Sequence, residues 1–128
     1  MPDNSTDFMS ISINTEFIPY AINLQDKKPV ELNIQVINRY NAPKKVNLEI
    51  TATNQIGFNK TLSSIEKFEL GLIKPGENRV VKVSVAPKNF AAKGEEKISI
   101  MATEITVEET GYSYPSKKFR KLIDIKLK

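Results

Sequence analysis

The sequence contains no cysteine, no histidine and no tryptophan. Without cysteine there is no disulfide to staple a core and no thiolate to hold a metal. Without histidine the protein lacks the commonest general base near neutral pH and the commonest transition-metal ligand. No apolar run approaches the ~18 residues needed to cross a bilayer as a helix. Nor does any segment sustain the 3.6-residue apolar period of an amphipathic helix. These gaps argue against an enzyme, and neither a cofactor nor a metal site is expected.

What remains is enough for a packed domain. The protein has 128 residues, 40% of them hydrophobic, which fits one domain with its own core. The net charge of +4 is unevenly placed. Lys117, Lys118, Arg120, Lys121, Lys126 and Lys128 stand against Asp124 in the last twelve residues, a local charge of +5 that leaves −1 for the rest. The start is polar and acidic, Met1-Pro2-Asp3-Asn4-Ser5-Thr6-Asp7, unlike the basic and then apolar opening of a signal peptide. Two settings fit: a cytoplasmic protein if the sequence is full-length, or a piece of a longer exported or cell-surface protein. Residues 1–8 are expected to be a disordered lead-in, and residues 9–128 a single domain.

The hydrophobic pattern is that of strands. Met9 to Asn14 alternates apolar and polar residues. Phe17 to Leu24 also reads as extended, with Pro19 marking a sheet edge or a switch between sheets, because proline has no N–H for a ladder. Val30, Leu32, Ile34 and Val36 form the cleanest period of two. Val46, Leu48, Ile50 and Ala52 repeat it after the polar loop Asn38–Pro43. Ser63 and Glu66 have capping-box spacing, which fits a helical turn near Ser64–Lys67; a connecting strand fits equally. Phe68, Leu70 and Leu72 restore alternation, with Gly71 suggesting a bulge or close backbone approach. A turn at Lys74-Pro75-Gly76-Glu77 leads to Val81, Val83 and Val85. Phe90, Ala91 and Ala92 are candidates to cap the core. Ile98, Ile100 and Ala102 form another strand, with Ile105-Thr106-Val107 extending it past a bend. Glu108–Ser116 reads as a loop, and Phe119, Ile123, Ile125 and Leu127 as the inward face of the last strand. Seven to eight strands separated by Gly, Pro and Asn clusters predict an all-β sandwich of two antiparallel sheets.

Three segments resemble the archaeal and bacterial immunoglobulin-like modules of the CARDB and NEW3 type. Val36-Ile37-Asn38 with Ala42-Pro43 looks like their strand–Asn–turn segment. Leu70-Gly71-Leu72-Ile73-Lys74-Pro75-Gly76-Glu77 is similar to their L-x-P-G-E hairpin. Pro87 to Ala92 and Gly94, then Ile98-Ser99-Ile100, resembles their last core hairpin. Arg39 and Tyr40 depart from those families, which usually place glycine soon after the asparagine. The resemblance implies an immunoglobulin-like sandwich acting as a non-catalytic interaction, adhesion or spacer module of a cell-surface or exported protein. It also implies two alternatives: a carbohydrate-binding accessory domain of a larger enzyme, and a periplasmic domain of a membrane protein, since a similar domain ends FixG-type proteins.

Candidate sites are few. Ser64-Ile65-Glu66-Lys67 matches the S-x-x-K of Ser–Lys hydrolases, but the supporting Ser-Asp-Asn and Lys-Thr-Gly are missing. Glu104, Glu108 and Glu109 carry oxygens suited to Ca²⁺ without the spacing of a calcium loop; a solvated acidic edge accounts for them. Tyr112 and Tyr114 are candidates to anchor a protein or a cell-surface polysaccharide, or else to cover one end of the core. With Lys117, Lys118 and Arg120 they make up the predicted partner-binding set. The lysines of the last strand also deter edge-to-edge pairing, and no nucleic-acid partner is expected. Asn4-Ser5-Thr6 and Asn59-Lys60-Thr61 are glycosylation triplets, relevant if the protein is exported.

Overall fold

Val30, Leu32, Ile34 and Val36 point one way from an extended segment, and all four are buried. The same rule, repeated strand by strand, builds the molecule. A computed structural model describes residues 10–128; the expected lead-in over residues 1–8 and the triplet at Asn4 lie outside the described residues. In sequence order the strands are β1 (Ile11–Ile18), β2 (Ala21–Ile22), β3 (Val30–Asn38), β4 (Lys44–Ala52), β5 (Ile56–Phe58), β6 (Ile65–Ile73), β7 (Asn78–Pro87), β8 (Gly94–Val107) and β9 (Ser113–Leu127).

They form two sheets, one ordered β1-β3-β7-β5 and the other β2-β9-β8-β4-β6. The core lies between them. Leu32 and Ile34 of β3 and Val85 of β7 meet Leu48 and Ile50 of β4 and Ile98 and Ile100 of β8 in one buried cluster. This is the all-β sandwich of two sheets that the alternation predicts, with the immunoglobulin-like form that the resemblance implies. Val81, Val83 and Val85 are all buried, as expected.

Among the described residues, the nine strands exceed the seven to eight expected because β2 and β5 are two and three residues long. Runs that short carry no period to detect. One pairing is also not antiparallel. The first strand segment splits at Pro19: β1 pairs with β3, while β2 crosses to the other sheet and runs parallel to β9. Both halves keep one direction, so the second half lands parallel to its new neighbour. Pro19 therefore marks the switch. β1 begins opposite Asn38, whereas the end of β9 lies opposite Gly94 at the far end of the sandwich.

Ser64–Lys67 resolves as the approach to and start of β6, not a helical turn. Within β6, Val46 pairs with Gly71 but Asn47 pairs with Glu69, so Leu70 is an extra residue. Gly71 takes a φ of +73° at this bulge, a conformation open to glycine. The bulge shifts the alternation, so Ile73 is buried and Leu72 is turned out to solvent. That corrects the simple Phe68, Leu70, Leu72 pattern. Phe90 is also exposed; Ala91, beside it, packs on the core instead.

Two polar anchors tie the loops to the sandwich. At one end, Asn38 ends the inward row of β3 where another aliphatic residue would sit. It is fully buried. Its N–H donates to Glu77 O (3.0 Å), and its carbonyl accepts from Gly76 N–H (2.8 Å). Its amide nitrogen donates to Ala42 O (2.9 Å) and Ile73 O (2.8 Å), and its side-chain oxygen accepts from Tyr40 N–H (2.8 Å). The Lys74–Glu77 turn is of type II in its residues, with Gly76 at φ +78° and Glu77 N–H donating to Lys74 O (2.9 Å). At the opposite end, Glu96 accepts from the Thr53 hydroxyl (2.7 Å), from Gln55 N–H (3.1 Å) and from the Gln55 side-chain amide (3.1 Å). The Gln55 side-chain oxygen accepts in turn from Ala92 N–H (2.6 Å).

Asn38→Leu keeps the size of the residue but leaves Ala42 O, Ile73 O and Tyr40 N–H without partners. The expected loss is about 3 kcal/mol or more, read as a lower urea midpoint with unchanged slope. Burial pushes the Glu96 carboxyl up, but its hydrogen bonds from Thr53 and Gln55 outweigh that and hold its pKa below the ordinary glutamate value. Such a group stabilises the fold above its unfolded pKa and ceases to do so as pH falls through the folded one. Glu96→Gln is therefore expected to destabilise at neutral pH. The gap from the parent should close as pH falls from about 5 to about 3, as measured by urea melts across that range.

Candidate functional site

β8 and β9 are the longest strands and form one hairpin, paired from Gly94–Leu127 to Val107–Ser113. β4 accompanies β8 only as far as Ile105. The last pairs, Thr106–Tyr114 and Val107–Ser113, therefore project past their neighbour. A tight turn closes the tip: Glu108 N–H donates to Tyr112 O (2.8 Å) and Gly111 N–H to Glu108 O (2.8 Å), with Gly111 at φ +89°. Tyr114 consequently lies in β9 and not in a loop; the expected Glu108–Ser116 loop shrinks to this turn. The rings of Tyr112 and Tyr114 stack with centroids 5.9 Å apart. Tyr112 is 63% exposed and Val107 54% exposed, so the tip presents apolar surface to solvent.

A bulge at the root aims this tip. Glu104 pairs with Lys117 and Ile105 with Pro115, leaving Ser116 extra, and the Ser116 hydroxyl donates to Glu104 O (3.3 Å). Glu104 belongs to the inward row of Ile98, Ile100 and Ala102, and it is buried. Tyr40 O–H donates to its carboxylate, and Lys44 Nζ lies 3.6 Å from its other oxygen. The same ammonium sits 4.5 Å from the centre of the Tyr40 ring. Burial, with the hydrogen bond to and repulsion from Glu104, pushes the Tyr40 hydroxyl above the usual tyrosine range, so Tyr40 remains a donor.

The predicted cations divide between the faces of β9. Lys118 and Arg120 stand on the outer face of the sheet. Lys117 is on the inner-face side of the strand, with Nζ 5.7 Å from the centre of the Phe119 ring. Half-buried Lys121 follows Phe119 on that side, and its Nζ donates to Ile13 O of β1 (3.3 Å) across the mouth of the sandwich. The structure thus brings the two tyrosines together, and Lys118 with Arg120, but does not gather all five residues on one face. On the outer face, Lys118 lines an open groove of about 440 Å³ with Asn47, Glu49, Lys67, Glu69 and Pro115 among others. Asn59 is exposed at a turn, with φ +62°.

Glu108 and Glu109 are exposed in the turn while Glu104 is engaged inside, so the three acids do not form one cluster. Among the described residues, no group of three acidic, Cys or His side chains is placed to hold a metal. Ser64 precedes a strand, where residues three apart face opposite sides, so no Ser–Lys pair forms with Lys67. The Tyr40–Glu104–Lys44 cluster escaped the sequence reading. Its signal was parity: Glu104 falls on the even positions of Ile98, Ile100 and Ala102.

No family model and no curated protein matches this protein. Among solved structures it is similar to native alpha-2-macroglobulin from Escherichia coli. It aligns with a crystal structure running from domain MG7 to the C-terminus at 14% identity over 94% of its length, with a TM-score of 0.58. It also aligns with a cryo-EM reconstruction of the native conformation of the E. coli protein at 14% identity over 91% of its length, again at 0.58. The aligned region spans 17% and 6% of the lengths of those two macroglobulin structures. At such identity the likeness shows the fold, an immunoglobulin-like sandwich.

Removing the Tyr40 hydroxyl leaves the buried Glu104 carboxylate short of a donor. Tyr40→Phe is expected to cost about 1–3 kcal/mol. A double-mutant cycle with Glu104→Gln should return a coupling of similar sign and size in chemical denaturation.

Proposed function

We propose that this protein is a non-catalytic interaction module of a longer polypeptide, and that it meets a protein partner through the β8–β9 hairpin. One observation carries this reading: the hairpin outruns the sandwich and exposes Val107, Tyr112 and Tyr114 on a root fixed by Glu104. Exposed aromatics held on a rigid element are the usual anchors of protein recognition. The small share of the macroglobulin structures that this fold occupies supports a modular setting. The type II turn at Lys74–Glu77, locked to Asn38, supports the CARDB and NEW3 resemblance, and with it a cell-surface or exported location. A cell-surface polysaccharide is the second reading, favoured by the stacked pair of rings, whose outward faces suit a sugar.

A photo-crosslinking residue in place of Tyr112, compared with one in place of Lys60, tests the choice in the source cells. The expected result is a protein adduct from position 112 that is absent from position 60 and is lost with Val107→Asp. No adduct at Tyr112, together with binding on a glycan array that Tyr112→Ala and Tyr114→Ala abolish, would replace the protein partner with a sugar.

A further inference from the structure

We infer that the outer edge of β9 accepts an extended acidic segment of a partner protein as an added strand. This deepens the interaction-module reading and rests on it. Among the described residues, β9 is paired on that side only at Lys126 and Leu127, by β2. The backbone of Lys128 shows which groups face that edge: its N–H donates to Ile22 O and its carbonyl accepts from Leu24 N–H, both at 2.8 Å. Backbone direction alternates along a strand. The N–H and C=O groups of Asp124, Leu122, Arg120 and Lys118 therefore face the same open side. At one end the edge is stopped by β2. At the other it is stopped by Pro115, which has no N–H to give. The open stretch is thus a bounded slot of alternating donors and acceptors.

Charge selects the occupant. Lys117, Lys118, Arg120 and Lys121 against Asp124 leave +3 along this stretch. A second copy of the protein would bring +3 against +3, and like charges on apposed strands repel. A guest with acidic residues on its outward positions places them beside Lys118 and Arg120. Its inward positions run beside Lys117, Phe119, Lys121 and Ile123. Half-buried Phe119 and Ile123 call for apolar side chains there, while Lys121 is turned toward Ile13 O of β1. The fitting partner is therefore an extended segment that alternates acidic and apolar residues. Its backbone supplies affinity and its side chains supply selection.

The probe is a synthetic peptide of alternating Glu and Val, capped at both ends, with Gln-for-Glu and Lys-for-Glu versions as controls, titrated into the whole protein. The expected result is saturable one-to-one binding. The amides of Lys118, Arg120, Leu122 and Asp124 should become protected from hydrogen exchange, while the odd-numbered amides already bonded to β8 stay as they were. The Gln version should bind at least about tenfold more weakly. Leu122→Pro removes an edge donor without altering charge and should weaken binding by about tenfold, whereas Leu122→Ala should have little effect. Should Leu122→Pro fail to fold, the Lys118→Glu, Arg120→Glu double variant and the exchange pattern of the parent decide. Four results would overturn the proposal: no peptide binding; binding without edge protection; equal or tighter binding of heparin or duplex DNA; or self-association through β9 in sedimentation. If the peptide fails while the Tyr112 adduct persists, the added strand is wrong and the interaction module stands.

Discussion

Asn38 is the residue on which one end of the sandwich depends. A buried asparagine is costly unless each polar group is matched, and here each one is: the backbone N–H, the backbone carbonyl, the side-chain amide and the side-chain oxygen all have partners. Those partners belong to three separate segments: the Asn38–Pro43 loop, the end of β6 and the Lys74–Glu77 turn. One residue therefore fixes where β3 stops, where β6 stops and how the next hairpin starts. The loop so placed delivers Tyr40 to Glu104, and Glu104 sits at the root of the projecting hairpin. The order of dependence runs from a satisfied core asparagine to a buried carboxylate and then to the exposed tip.

The far end is fastened differently. Glu96 collects Thr53 and Gln55, and Gln55 collects Ala92, so a charged group at the rim ties two loops. It depends on ionisation, whereas the Asn38 anchor uses only neutral groups. The two anchors therefore answer differently to acid, although the Asn38 end also holds the ion-paired Glu104 carboxylate at the root of the tip.

Much of the fold is legible in the sequence because period-two burial is a direct consequence of strand geometry. Val30 to Val36, Val46 to Ala52 and Val81 to Val85 follow from that alone. Pro19 and Gly71 follow from backbone chemistry, as a switch and a bulge. What the pattern does not supply is the effect of the bulge on its own register, which exposes Leu72 and buries Ile73. β2 and β5 are shorter than a period can register. For the candidate site, exposed tyrosines and a basic strand are visible as residue types. Their division between two faces is not, because the extra residue at Ser116 and the turn at Glu108–Tyr112 decide it. Glu104 resembles a surface acid beside its neighbours Glu108 and Glu109; only its place in the row of Ile98, Ile100 and Ala102 points inward. Tyr40 gives no sign, since its partner is distant in sequence.

The split of the first strand segment has a consequence for dimensions. β1 starts at the Asn38 pole, and the final residues of β9 lie at the opposite pole. The described polypeptide therefore enters at one pole and leaves at the other. As the proposed module of a longer polypeptide, a domain threaded in this way would add its own axial rise, about 30 Å for nine residues of strand, and would not fold the path back on itself. The tyrosine tip then lies at the pole where the described residues begin.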